Sequence, residues 1–179
     1  LRYMRTTNAV FVLAGTLIMA LIMAKVGAPL KTENTPLGII NLELAFNGKY
    51  ASAIRLDWLY SFSGSMSKVA IAIRHTWLDF VFIFFYSYFL FYGCKSVSDS
   101  LSGFVSKMGR WIAVGALYAG LFDIIENIGI LLMMKGYITN WIAFATGIFS
   151  SVKWGIVVLA LGYVALAGPI SILRKKREG

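Results

Sequence analysis

Four ionisable residues, Asp79, Asp123, Glu126 and Lys153, fall inside segments otherwise apolar enough to cross a lipid bilayer. An Asp or Lys at the centre of such a span costs roughly 2.5–3.5 kcal/mol on insertion scales, so these side chains are expected to face one another or water. Asp123, Glu126 and Asn127 stand at i, i+3 and i+4 and therefore share one helix face. Thr146, Ser150 and Lys153 share a face further on, and His75, Asp79, Phe82 and Tyr86 share one earlier. Glu43 interrupts an apolar stretch between spans and is placed to drop into the mouth of a polar pocket. The expected pocket set is thus Glu43, Asp79, Tyr86, Asp123, Glu126, Asn127, Ser150 and Lys153. Within it Asp123 or Glu126 is the candidate general acid or base, and Lys153 its electrostatic partner.

Three in-span carboxyls against one ammonium leave a formal excess of two negative charges if all are ionised. Either a carboxyl carries a proton, or His75, Arg74 or a bound cation completes the balance. Plainer roles compete with each assignment. Lys153 with Asp123 or Glu126 also reads as an interhelical ion pair that sets register, and Asn127 as a helix–helix hydrogen bond. Tyr86 belongs to the aromatic run FIFFYSYFLFY, which reads as lipid-facing and packing surface. His75 reads as a solvated residue near a helix start, and Asp79 as a first-turn residue if its helix begins at Trp77.

The elements that must position these groups follow from hydropathy. Spans are expected over about residues 9–26, 77–94, 111–134 and 141–168, the second also reading as the continuation of a helix that starts after Gly64, with Trp77, Trp111 and Trp141 each at a span's start, where amphipathic rings prefer the interface. The first span follows Arg2 and Arg5 and so also resembles a signal peptide. Its length, and Pro29 directly after the small residue Ala28, favour a retained anchor. Between the first two spans, residues 35–62 predict an interfacial helical segment: Thr35 as N-cap with Pro36 at the first helical position, then Tyr50, Ile54 and Trp58 as an amphipathic stripe. The fold class is therefore all-α, a four-helix transmembrane bundle in one membrane domain over residues 1–179. The basic residues Arg2, Arg5, Lys95, Lys107, Arg110, Arg174, Lys175, Lys176 and Arg177 predict cytoplasmic termini.

Composition narrows the function classes. A chain with 59% hydrophobic residues and a mean hydropathy of +0.74 has lipid as its solvent. Its net charge of +9 flanks apolar spans and forms no basic face with interleaved aromatics, so nucleic acid is not an expected partner. One His and one Cys, Cys94, exclude a tetrahedral zinc site and histidine-rich di-iron chemistry, and no cofactor is expected. Cys94 has no partner for an intrachain disulfide, and no His–Ser arrangement nominates a nucleophile.

The segments TPLGIINLELA, WLDFVFIFFY and LFDIIENIGIL, together with Lys153, resemble a family of small four-span bacterial integral membrane proteins. The resemblance implies a four-helix membrane fold in the inner membrane and a recurrent polar set, and implies no activity, substrate or catalytic role. Three functions stay open. The first is binding, or acid/base transformation, of a small lipid-soluble molecule in a polar pocket in the outer half of the membrane. The others are an accessory subunit among partner membrane subunits, and a proton or cation pathway.

Overall fold

The computed structural model describes the backbone of residues 2–177 and the side chains of residues 8–173. The side chains of Arg2, Arg5, Arg174, Lys175, Lys176 and Arg177, on which the expected orientation leans, lie outside the described residues. Among the described residues the helices are α1 (Arg2–Gly27), α2 (Ile39–Glu43), α3 (Gly48–Tyr60), α4 (Lys68–Asp99), α5 (Gly103–Met134) and α6 (Asn140–Arg177). A two-residue hairpin of β1 (Phe62–Ser63) and β2 (Met66–Ser67) precedes α4. Four stretches, Asn8–Leu30, Lys68–Asp99, Gly103–Met134 and Asn140–Leu173, are helical, long and apolar enough to cross a bilayer. The chain is a multi-pass integral membrane protein. Its spans form a bundle in which α4 packs on α1 and α5, and α6 packs on α5 and α4.

Local chemistry decides where these helices begin. Ser67 caps α4, its Oγ accepting from the Ala70 N–H at 3.3 Å, so the helix starts at Lys68, in line with the reading of a helix that begins after Gly64, and Trp77 lies inside it. Hydropathy alone places that boundary late, because Arg74 and His75 break the apolar run while leaving the helix intact. Helix α5 starts at Gly103, which takes a positive φ of 68° directly after Ser102, rather than at residue 111. Helix α6 continues through Pro169 to Arg177 instead of ending near residue 168. Proline is tolerated in membrane helices where neighbouring groups re-satisfy the freed carbonyl. Trp77, Trp111 and Trp141 are all exposed.

The segment between α1 and α4 departs from its expected form. Thr35 is no N-cap: it is fully buried, its Oγ1 donating to Leu30 O at 2.8 Å while Trp58 Nε1 donates to it at 3.2 Å. The chain turns over residues 36–38, and Gly38, with φ 65°, leads into α2. Of the expected stripe, Ile54 and Trp58 are buried and Tyr50 is exposed.

This segment also runs down the side of α6. Gly48 N–H donates to Asn140 Oδ1 at 2.9 Å, Phe46 packs on Gly147, and Glu43 reaches Ser150 and Trp154. At 1.5 Å per residue, the path from Asn140 to Lys153 carries α2 about 20 Å below the start of α6. Phe46 holds a positive φ of 54°, unusual for an aromatic residue. Gly147 makes its seat, since a Cβ there would stand 2.7 Å from Phe46 Cδ1.

Two apolar cores result. One joins Leu30, Leu42, Trp58, Ile130 and Met133 at the α2–α3 end, and the other joins Ile83, Leu90, Ala116, Ala160 and Tyr163 toward the α4–α5 loop. The ionisable residues lie between them. Small residues on α5 bring α4 close there, with Gly120 against Ser87 and Ile83.

Candidate functional site

Lys153 is the centre of the site. Its Nζ lies 2.9 Å from Asp123 Oδ1, 2.8 Å from Glu126 Oε2 and 3.8 Å from Glu43 Oε2, and all four side chains are at least nine-tenths buried. The i, i+3 spacing of Asp123 and Glu126 on α5 presents both carboxyls to one ammonium on α6. Short α2 supplies the third, Glu43. Glu126 is fully enclosed; its Oε2 forms the ion pair, yet neither of its oxygens receives a well-directed hydrogen bond among the described residues.

Hydrogen bonds from neighbouring side chains aim these carboxyls. Tyr86 Oη donates to Asp123 Oδ2 at 2.7 Å, so Asp123 is held from α4 and α6 at once. Asn127 Nδ2 donates to Asp79 Oδ2 at 2.8 Å, tying α5 to α4. Ser150 Oγ and Trp154 Nε1 both donate to Glu43 Oε2, at 3.4 and 3.3 Å.

Beside the cluster lies a cavity of about 470 Å³, bounded by α1, the turn into α2, α4, α5 and α6. Glu43, Asp79, Tyr86, Asp123, Asn127 and Lys153 line it. Glu126 and Ser150, which the sequence groups with them, are buried behind this wall and do not line it. From the polar side the wall continues through Phe82, Phe89, Val157 and Leu161. Eight residues separate Lys153 from Leu161 along α6, or about 12 Å of apolar groove at helical rise. Across the groove stand Thr16, Met23 and Gly27 of α1.

Two sequence readings need correcting. His75 is not solvated: α4 begins seven residues before it, and its ring is buried, lines the cavity and packs on Gly27, where a Cβ would come within 3.0 Å of Nε2. Tyr86 is not part of the lipid-facing surface, being only 8% exposed and bonded to Asp123. The i+7 spacing from Asp79 was the available signal, and the aromatic run around Tyr86 masks it. Asp79 lies well inside α4, so a first-turn role does not apply. Trp154 escaped notice in the sequence, although a tryptophan in mid-span, away from the interfaces favoured by Trp77, Trp111 and Trp141, is the sign of a polar partner for its N–H.

Among the described residues no group of three His, Cys, Asp or Glu side chains is arranged to hold a metal ion. No family model matches the chain, and neither a curated protein nor a solved structure matches it.

Proposed function

We propose that this protein binds a small lipid-soluble molecule in the cavity beside Lys153. The carrying observation is the cavity's composition: about 470 Å³, within the range of roughly 300–1,000 Å³ usual for ligand sites, with a few converging polar groups in an otherwise apolar wall. Acid/base transformation of that molecule is the natural extension, with Asp123 or Glu126 exchanging the proton and Lys153 holding the charge. A proton or cation relay fits less well. Among the described residues, the apolar core of Ile83, Leu90, Ala116 and Ala160 stands between the cluster and the α4–α5 loop.

The reading includes an orientation. The termini and the α4–α5 loop face the cytoplasm, as their basic residues favour, and the cavity lies in the outer half of a bacterial inner membrane, in keeping with the family resemblance.

Native mass spectrometry of the protein released from mild detergent tests the binding. Wild-type protein is expected to carry, or to take up from a lipid extract, a small apolar adduct. Val157→Trp, which puts an indole into the groove, is expected to lose it while keeping its helical circular dichroism and melting temperature. Wild-type protein that carries no adduct and takes none up would sink the proposal.

A further inference from the structure

We propose that the polar end of the bound molecule is a cationic amine, seated between Glu43 and Asp79. This rests on reading the cavity as a binding site, and it follows from which hydrogen-bonding capacity the cluster leaves unused.

Most of the donors at the polar end are already committed. An ammonium has three N–H bonds, and Lys153 has three carboxylates around it, two at 2.8–2.9 Å and Glu43 at 3.8 Å. The Tyr86 hydroxyl is spent on Asp123, and the Asn127 amide gives one of its two N–H bonds to Asp79. The Trp154 and Ser150 donors both go to Glu43 Oε2. Of the cations near the cavity, Lys31 is exposed where α1 ends and stands at the mouth, and His75 supplies at most one ring N–H from the side.

The acceptors are not. Glu43 is nine-tenths buried and lines the cavity, yet every bond it makes is to Oε2; among the described residues no donor reaches Oε1. Asp79 likewise spends only Oδ2, on Asn127, and its Oδ1 has no partner among the described residues. Three carboxyl groups, Glu43, Asp123 and Glu126, share the one ammonium of Lys153, and Asp79, whose partner is Asn127, lines the same cavity. A phosphate or carboxylate head group would meet the unused carboxyl oxygens of Glu43 and Asp79, acceptor against acceptor. An alkylammonium would supply the missing N–H donors, add a positive charge where it is lacking, and lay its chain along Phe82, Val157 and Leu161.

The protein in nanodiscs of zwitterionic lipid is titrated with dodecylamine, dodecanol and dodecanoic acid, each corrected for uptake by protein-free nanodiscs. The change in Trp154 emission on binding is the readout, with Trp154→Phe as the signal control. Dodecylamine is expected to bind about tenfold or more tighter than dodecanol, as a charge-assisted hydrogen bond warrants, and dodecanoic acid more weakly than either. Glu43→Gln and Asp79→Asn preserve shape; each is expected to weaken dodecylamine about tenfold and leave dodecanol unchanged. Equal binding of all three probes, abolished by Val157→Trp, would overturn the amine and leave the cavity reading standing. Binding of none would overturn both, and amine binding indifferent to both carboxyl substitutions would overturn the seat.

Discussion

Replacing the ammonium of Lys153 by an apolar chain of similar length, Lys153→Met, strands Asp123, Glu126 and Glu43 without a counter-charge. Breaking a buried ion pair from one side costs about 3–5 kcal/mol, and that is the expected loss, read as a lowered melting temperature in detergent. Glu126→Gln is expected to cost less than about 1 kcal/mol, because Asp123 and Glu43 still serve Lys153 and one uncompensated negative charge is removed. The opposite order of stabilities would show that Lys153 is not what holds the cluster together. At this scale the sequence was partly legible. The helical spacings grouped Asp123 with Glu126 and Asn127, and Asp79 with His75 and Tyr86, because all of these lie on single elements. Which residues meet across elements was not legible, since that depends on how far one helix slides along the next. Spacing alone therefore could not separate Glu126 and Ser150, which are enclosed behind the wall, from Asp79 and Tyr86, which line the cavity.

Helix contacts depend on a few glycines, and the contrast among them gives a test at the level of elements. A Cβ on Gly129 of α5 would overlap Thr146 Oγ1 of α6, whereas Gly155 and Gly162 of α6 have nothing within 4 Å of the same position. Gly129→Ala is expected to cost about 1–3 kcal/mol by forcing the α5–α6 contact apart one turn from Glu126. Gly155→Ala and Gly162→Ala are expected to be neutral or to stabilise by up to about 1 kcal/mol through helix propensity. Chemical denaturation in micelles distinguishes the two sets, and equal losses at all three would place a partner on the open face of α6. The spans themselves were evident from hydropathy, and their starts were not. Helix α4 begins at a serine cap and α5 at a glycine of positive φ, both features of a few residues that an average over a long window cannot see.

For the molecule as a whole, the even number of spans puts both ends of the bundle's chain on one side, and the side is open to labelling. Cys94 is buried, so a single introduced cysteine dominates reaction with a membrane-impermeant maleimide. Ser65→Cys, in the exposed hairpin turn, is expected to label in intact cells, and Lys107→Cys, at the start of α5, only after permeabilisation; the reverse pattern would invert the proposed orientation. What no sequence pattern announced is that α1 walls the cavity, because its contribution is Met23, Gly27 and Thr16, ordinary residues of an apolar span. The place of Lys153 in the chain order has a consequence of another kind. Glu43, Asp79, Asp123 and Glu126 all precede it, and α6 leaves the ribosome after α1, α4 and α5. From the synthesis of Glu126 until α6 inserts, the nascent protein must carry these acidic side chains at the membrane without the ammonium of Lys153. Insertion of α6 is the event that brings Lys153 to Glu43, Asp123 and Glu126, and a chain interrupted before it is an open bundle with those carboxyls unpaired, exposed to degradation.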